Sequence, residues 1–259
     1  MFEVVTGPMH CGKTEFVVGE IVRASIASRK RNKQKAILVF TPAVDVRYER
    51  GIASQMKNSR DKIKPSGDLI NEFSEVEDFV NFWGTANPSY AAPASNPLVC
   101  LFKVKSLNNI LEFLQVIAQN TPRNGDPPLV IIDEIQLYHE TKEELEACYR
   151  LWSLSHIEFA RFIVSGLNAD FANRPFTLTA LCVSLGRNKS RCLSAVCDVC
   201  GEEAQFTQRL VNGHPAPENS PRYVVGDEGS VGLDKYEYQA RCENCWKLGP
   251  SLPRKENKQ

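Results

Sequence analysis

The segment from Gly7 to Thr14 restricts the possible folds of this chain more than any other. It reads Gly-Pro-Met-His-Cys-Gly-Lys-Thr and fits the pattern G-x-x-x-x-G-K-[ST]. A short β-like run, residues 2–6, precedes it, and a helix-compatible segment, residues 15–28, follows it. Backbone N–H groups of such a loop can surround phosphate oxygens, and the helix N-terminus adds a favourable dipole. This order of strand, loop and helix predicts a binding site for a nucleoside triphosphate.

Two side chains of this loop have specific predicted roles. Lys13 can reach the outer phosphates, and the Thr14 hydroxyl suits Mg²⁺. Cys11 lies inside the loop, where we expect a small filling residue rather than a catalytic thiol. All eight positions are predicted contacts of the triphosphate: Gly7, Pro8, Met9, His10, Cys11, Gly12, Lys13 and Thr14.

Apolar runs alternate with helix-compatible segments along the first 190 residues. This alternation predicts an α/β fold in which helices flank a parallel sheet. One run, Leu129 to Ile132, is apolar throughout, as expected for a strand that is buried on both faces. We therefore predict a domain of residues 1–190, followed by a small domain of residues 191–248 and a disordered tail of residues 249–259.

Asp133 and Glu134 directly follow this apolar strand. Ligands of parallel sheets bind at the carboxyl ends of strands, and the loop at 7–14 also follows a strand. Phosphoryl transfer needs a holder for Mg²⁺ and a group that orients or deprotonates the nucleophile. Asp133 suits the metal ion, and Glu134 suits the base because its carboxylate can accept the proton of an attacking hydroxyl. The alternative interpretation is an acidic pair that merely ends a strand.

The nine cysteines include two Cys-x-x-Cys pairs that are separated by 41 residues. The pairs are Cys197 with Cys200 and Cys242 with Cys245. Four thiolates in this pattern favour tetrahedral zinc, and no ligand position is left open for catalysis. We predict a structural zinc ion that closes the base of a long loop. Four other cysteines are expected to be small buried residues: Cys100, Cys148, Cys182 and Cys192.

Charge and hydropathy argue against several classes of partner. Lysine and arginine number 31, as do aspartate and glutamate, so the formal net charge is zero. Residues 191–248 carry nine acidic and six basic side chains, which argues against nucleic-acid binding by the zinc domain. We find no apolar run of 18 residues and expect no membrane partner. Residues 2–6 already form a predicted strand, so we expect no signal peptide and a cytoplasmic protein with reduced thiols.

Several segments, in chain order, resemble the type II thymidine kinase family, which includes cytosolic animal, bacterial and poxvirus enzymes. Gly7 to Thr14 is similar to the family's G-P-M-F-S-G-K-T, and Pro42 to Tyr48 to its P-A-x-D-x-R-Y. Asp133 to Tyr138 resembles D-E-A-Q-F-F, and Gly166 to Phe171 resembles G-L-D-x-D-F. Around the cysteines, the similar segments are Thr207 to Leu210, Asn212 to Ala216 and Tyr238 to Cys242.

The resemblance implies ATP- and Mg²⁺-dependent phosphorylation of the 5′-hydroxyl of thymidine or deoxyuridine. It implies that Glu134 is the general base, that residues 7–14 hold ATP, and that Thr14 with Asp133 supports Mg²⁺. It also implies a homotetramer and a zinc-based lasso loop that closes over the nucleoside. The implied nucleoside contacts are Phe171, Phe176, Val225, Gly226 and Tyr238.

The chain departs from the family pattern at several places, including Asn168, where the family has an Asp, and Glu243, where it often has an Arg. The lasso is several residues longer, so Tyr236 with Val231-Gly232 is an alternative register to Tyr238 with Val225-Gly226. Residues 54–57 read Ser-Gln-Met-Lys where the family commonly has Ser/Thr-His-Asp, and residues 60–100 resemble an insertion. These departures motivate a second hypothesis, a catalytically weak nucleotide-binding protein. A third hypothesis, a nucleic-acid-dependent ATPase, is opposed by the acidic zinc domain.

Overall fold

A seven-stranded parallel sheet forms the centre of the computed structural model, which describes residues 1–31, 35–45, 52–59, 71–91, 97–120, 127–157, 159–223, 230–231 and 234–251. Its strands are β1 (Phe2–Gly7), β2 (Ala36–Pro42), β3 (Asn71–Phe73), β4 (Leu98–Val104), β5 (Leu129–Ile132), β6 (Arg161–Leu167) and β7 (Ser190–Cys192). Their order in space is β3-β4-β2-β5-β6-β1-β7, and all neighbouring pairs are parallel. The predicted α/β fold is confirmed.

Helices cover both faces of this sheet. They are α1 (Lys13–Arg31), α2 (Ile52–Asn58), α3 (Val76–Ala91), α4 (Leu107–Asn120), α5 (Lys142–His156) and α6 (Thr177–Gly186). Because side chains alternate along a strand, Val4 packs in one core cluster with α3 to α6, and Val5 packs in the other with α1 and α2. Among the described helices, none combines the length and apolar character needed to cross a membrane.

The strand order brings the two predicted phosphate-site segments to one edge of the sheet. Strand β6 lies between β1 and β5, and all three run in the same direction. Gly7 pairs with Leu167, and Ile132 pairs with Val164. The loop after β1 and the acidic pair after β5 therefore follow carboxyl ends at the same edge, which is where ligands bind in such sheets.

The described part of the predicted insertion at 60–100 is integrated into the core. Strand β3 pairs with β4 at the edge of the sheet. The buried Phe79 and Trp83 of α3 belong to the same core cluster as Phe102 of β4. The ring centroid of Phe73 lies 5.3 Å from that of Phe79 and 5.6 Å from that of Phe102. Residues 60–70 and 92–96 lie outside the described residues.

Short antiparallel strands follow the large sheet. They are β8 (Ala195–Val196), β9 (Glu203–Ala204), β10 (Phe206–Val211), β11 (His214–Pro215), β12 (Ser230–Val231) and β13 (Asp234–Arg241). One sheet has the order β11-β10-β13-β12, and β8 pairs with β9. Strand β7, just after the predicted boundary at residue 190, still belongs to the large sheet. Of the predicted tail, Gly249 pairs with Pro217, and residues 252–259 lie outside the described residues.

The prediction of four buried non-ligand cysteines is right for three of them. Cys100, Cys148 and Cys182 are buried, and the sulfurs of Cys148 and Cys182 lie 3.4 Å apart between α5 and α6. Cys192 is exposed, so its prediction was wrong. The reason is its place on β7, which is an edge strand with only β1 as a neighbour.

Candidate functional site

The Lys13 side chain is folded back into the loop at 7–14. Its Nζ donates to the carbonyl oxygens of Pro8 at 2.7 Å and Gly7 at 3.4 Å, and the residue is 8% exposed. These neutral carbonyls leave the ammonium charge without a compensating anion at this contact. A phosphate group that entered the loop would supply one, because an ammonium group binds phosphate as a point charge.

Three residues of the loop have positive φ angles, and two of them are glycines. Gly7 has φ 153° and Gly12 has φ 84°, and His10 lies in the left-handed region at φ 63°. A Cβ atom at Gly7 would lie 2.5 Å from both Cys11 Sγ and Leu193 O, so only glycine fits there. Helix α1 begins at Lys13, so the last two residues of the loop form its first turn, and Phe16 N donates to Gly12 O at 2.9 Å. This geometry suits an anion at the N-terminus of α1.

Cys11 behaves as the expected filling residue. Burial raises the pKa of its thiol, and the nearby Lys13 ammonium opposes that shift. Its Sγ lies 3.5 Å from Lys13 Nζ and would contact any side chain placed at Gly7. Cys11 is only partly buried, but a thiol whose pKa is raised stays protonated at neutral pH and is therefore a poor nucleophile.

Asp133 and Glu134 are both buried, and each carboxylate has a described side-chain donor. Ser165 Oγ donates to Asp133 Oδ1, and Gln136 Nε2 donates to Glu134 Oε2. Gln136 is itself fixed, because its Oε1 accepts from Leu167 N at 2.9 Å. Glu134 has left-handed backbone angles, φ 52° and ψ 46°, where the chain turns from β5 into the short helix Ile135–Leu137. Oxygen ligands such as the Asp133 carboxylate suit Mg²⁺.

We expect Gly166→Ala to destabilise the protein and to displace Gln136. A Cβ atom at this position would lie 2.6 Å from both Gln136 Oε1 and Ile135 Cγ2. Such overpacking costs about 1–3 kcal/mol, which urea unfolding can measure. The matched control is Gly19→Ala, because a Cβ atom at Gly19 meets nothing within 4 Å. That change inside α1 should be neutral or stabilising by about 0.5–1 kcal/mol. Equal stability of the two variants would contradict the steric argument.

The four predicted zinc ligands lie together. The sulfur atoms of Cys197, Cys200, Cys242 and Cys245 all lie within 4.8 Å of one another. A tetrahedral zinc ion with Zn–S bonds of about 2.3 Å places sulfurs about 3.8 Å apart, so the cluster is compatible with one zinc ion. Backbone N–H groups of Cys200, Cys242 and Val199 outweigh the opposing effect of burial and lower the pKa of Cys197 to about 6. Thiol–thiol hydrogen bonds with Cys242 and Cys200 raise the pKa of Cys245 to about 12.

Two hydrogen bonds, among other described contacts, join the cysteine-bearing part of the chain to the site. Thr207 Oγ1 on β10 accepts from Met9 N of the phosphate loop at 3.1 Å. Trp246, which follows the ligand Cys245, donates through Nε1 to Phe171 O at 3.1 Å. Gln208 also exchanges hydrogen bonds with the backbone of Lys247, at 2.8 Å in both directions. These contacts tie the cysteine cluster to both the loop at 7–14 and the segment after β6.

The predicted nucleoside contacts fall into described and undescribed groups. Phe171 and Phe176 are buried in the segment after β6, and the Arg209 guanidinium carbon lies 3.6 Å above the Phe171 ring. Tyr238 lies on β13 opposite Arg209, and Tyr236 lies opposite Val211, with both tyrosines half-buried. Val225 and Gly226, together with Gly232 of the alternative register, lie outside the described residues. Both registers therefore stay predictions.

Four partners of the predicted site residues were missed from the sequence: Ser165, Thr207, Gln136 and Arg209. One signal was present for Ser165, because it is a polar residue inside an apolar strand, and it is fully buried. Gln136, Thr207 and Arg209 lie in segments that resemble the family pattern, but their sequence positions carry no information about the atoms that they contact.

Comparisons with known proteins identify a family for this chain. The sequence model of the family described as "Thymidine kinase" matches residues 101–246, which is more than half of the chain. A protein of Pyrobaculum aerophilum named "Thymidine kinase" is 27% identical over 251 residues. That alignment covers 96% of this chain and 100% of the relative.

Proposed function

The chain belongs to the thymidine kinase family, and from this premise we propose that it transfers the γ-phosphoryl group of ATP to the 5′-hydroxyl of thymidine. Deoxyuridine is the second proposed acceptor, and the products are the nucleoside 5′-monophosphate and ADP. One observation carries the proposal. The buried Glu134 carboxylate, oriented by Gln136, follows Asp133 at the same sheet edge as the loop at 7–14.

The donor half of the reaction uses the loop at 7–14. Its backbone N–H groups and the N-terminus of α1 would hold the phosphates of ATP. Lys13 would exchange its contacts with Gly7 O and Pro8 O for contacts with the outer phosphates. Thr14 and Asp133 would hold Mg²⁺, which would neutralise the negative charge that develops on the phosphate oxygens.

The acceptor half uses Glu134 as the general base. The carboxylate takes the proton of the 5′-hydroxyl as the new O–P bond forms and the bond to the ADP oxygen breaks. Gln136 holds the carboxylate in place through its contact with Oε2 and its own anchor on Leu167 N. Because the orientation is set before the substrate binds, little reorganisation is needed during the reaction.

The nucleoside would bind between the segment after β6 and the cysteine-bearing part of the chain. Phe171 and Phe176 are the proposed aromatic contacts, with Tyr238 on the opposite side. Val225 and Gly226 would read the base through backbone groups, since a thymine edge offers one N–H and two carbonyl oxygens. A cytoplasmic location and a homotetramer are further proposals, which rest on the family resemblance.

A panel of nucleosides with radiolabelled ATP tests the function. We expect Mg²⁺-dependent phosphorylation of thymidine and deoxyuridine and much lower rates with purine nucleosides. The position of the label on the 5′-oxygen can be checked by comparison with authentic monophosphate. A protein that binds ATP but phosphorylates none of the pyrimidine deoxynucleosides would instead be the catalytically weak nucleotide-binding protein.

The second function, a catalytically weak nucleotide-binding protein, is motivated by the segment at 54–57, which lies close to the phosphate loop. In α2, at the segment that departs from the family pattern, Gln55 Nε2 donates to Glu15 Oε1 at 3.3 Å, and Met56 is buried in the core. Gln55 therefore contacts the first turn of α1, directly after the phosphate loop. Measuring kcat together with the Kd of ATP separates the two functions, because only the kinase combines binding with turnover.

A further inference from the structure

Arg222 connects three segments of the chain through one guanidinium group. Its Nη1 donates to Glu140 Oε2 at 3.1 Å, and its Nη2 donates to Pro175 O. Its Nε lies 3.4 Å from Asp170 Oδ2, an ion pair without the geometry of a hydrogen bond. Glu140 follows the segment of Glu134 and Gln136, and Asp170 and Pro175 belong to the segment after β6.

The Asp170 anchor is rigid. Its side chain is 2% exposed, and its Oδ1 accepts from Ala172 N and Arg174 N, each at 2.9 Å. Arg174 Nε also donates to Oδ2 at 2.8 Å. Asp170 thus keeps three donors even when Arg222 is removed, so the loss of Arg222 does not leave a buried charge without partners.

Arg222 also covers a predicted nucleoside contact. Its guanidinium carbon lies 4.3 Å from the ring centroid of Phe176, and the ring of the next residue, Tyr223, lies 5.8 Å from the same ring. Phe176 is only 3% exposed. The planar guanidinium group and the phenol ring therefore restrict the position of Phe176 from the side of the cysteine-bearing part of the chain.

We propose that Arg222 is a positioning residue for the nucleoside. By joining Glu140, Asp170 and Pro175 O, it fixes the Phe176 ring relative to the segment that carries the general base. This role rests on the proposed function, since it assigns Arg222 to the nucleoside side of that same site. It predicts an effect on nucleoside binding and little effect on the phosphate loop, because the described contacts of Arg222 do not include residues 7–14.

The test compares Arg222→Gln with the matched control Arg174→Gln. Both changes remove one arginine from Asp170, and the Arg174 guanidinium carbon also lies 5.7 Å from the ring centroid of Phe171. Among the described contacts, however, only Arg222 reaches Glu140, Pro175 O and Phe176. For Arg222→Gln we expect KM for thymidine to rise about tenfold, as for the loss of one charged hydrogen bond, with kcat and KM for ATP nearly unchanged. Arg174→Gln should change KM for thymidine by less than about twofold.

A conservative variant separates positioning from general stability. Arg222→Lys keeps the charge but loses the planar group that reaches three partners, so we expect an intermediate KM for thymidine. Thymidine binding by calorimetry should follow the same order. Equal KM values for thymidine in wild type and Arg222→Gln would overturn the proposal. An Arg222→Gln variant whose KM for ATP rises as much as its KM for thymidine would also overturn it.

The failure of this proposal and that of the proposed function can be distinguished. A wild-type protein that neither binds nor phosphorylates thymidine would overturn both. An active wild type with an unaffected Arg222→Gln variant would overturn only the positioning role. Thermal unfolding of each variant, compared with wild type, identifies any variant whose KM changes because the protein is partly unfolded, and Glu140→Gln then provides a second test of the same contact.

Discussion

Replacing Glu134 with glutamine is expected to lower kcat for thymidine about 10²- to 10⁴-fold, the usual contribution of a general base. An amide cannot accept the proton of the 5′-hydroxyl, whereas its carbonyl oxygen can still accept from Gln136 Nε2. The geometry of the turn after β5 is therefore kept, and only the proton acceptor is lost. The Kd of ATP should stay close to that of wild type, since the loop at 7–14 is unchanged.

The control for this variant is Glu143→Gln, the same chemical change on an exposed position of α5. It should leave kcat, KM and ATP binding unchanged. Single-turnover phosphorylation, with ATP binding measured separately, distinguishes chemistry from binding. A Glu134→Gln variant with nearly wild-type kcat would show that another group is the base. A variant that no longer binds ATP would show that Glu134 has a structural role.

The fold was predictable where the chain is buried on both faces of the sheet. Strand β5 was predicted with the bounds that the structure shows, because a continuous apolar run marks it, and the β-like run at residues 2–6 agrees with β1 within one residue. Strand β3 was not predicted, since it has only three residues and is defined by its pairing with β4. Helix α2 was not predicted, because its seven residues are too few to show a helical period.

The start of α5 at Thr141 matches only one of the two hydrogen bonds of a helix-capping sequence. Thr141 Oγ1 accepts from Glu144 N at 3.3 Å, as a capping sequence predicts. The Glu144 carboxylate, however, accepts from Leu107 N at 2.8 Å, so it caps α4 rather than its own helix. Burial raises the pKa of Glu144, and the Leu107 N–H opposes that shift. A neighbouring helix competed for the carboxylate, which no local pattern can reveal.

The same distinction holds for the site. Residues 7–14 and the pair Asp133 and Glu134 are contiguous, so their motifs identify them. Their partners come from distant parts of the chain: Ser165 contacts Asp133 across 32 positions, and Thr207 contacts Met9 across 198 positions. Arg222 lies in the long loop between the two cysteine pairs, three residues before the predicted nucleoside contact Val225, but only its contacts with Glu140 and Pro175 suggest a function.

The cysteine cluster leads to the second prediction with a large effect. Its buried core consists of Cys197, Ala204, Ala240 and Cys242, which is too little apolar surface to hold β8, β9 and the end of β13 together. Metal binding supplies much of the folding free energy in such small cores. We therefore expect that removing the metal disorders this part of the chain and releases its contacts with Met9 and Phe171.

We expect Cys242→Ser to lower the zinc content from about one ion per chain to a small fraction of that, because one of four thiolate ligands is lost. The rate of thymidine phosphorylation should fall at least about 100-fold, because the loss of a ligand to this metal also loosens β13 and its pairing with β10. The Kd of ATP should change far less, since Lys13 and the backbone of the loop lie outside the cluster.

The matched control is Cys192→Ser, because Cys192 is an exposed cysteine that belongs to no described metal cluster. This control should equal wild type in metal analysis, limited proteolysis and nucleoside phosphorylation. Full activity of zinc-free Cys242→Ser protein would show that the metal does not hold the nucleoside side of the site, whereas a parallel loss of zinc and activity, with ATP still bound, is the expected result.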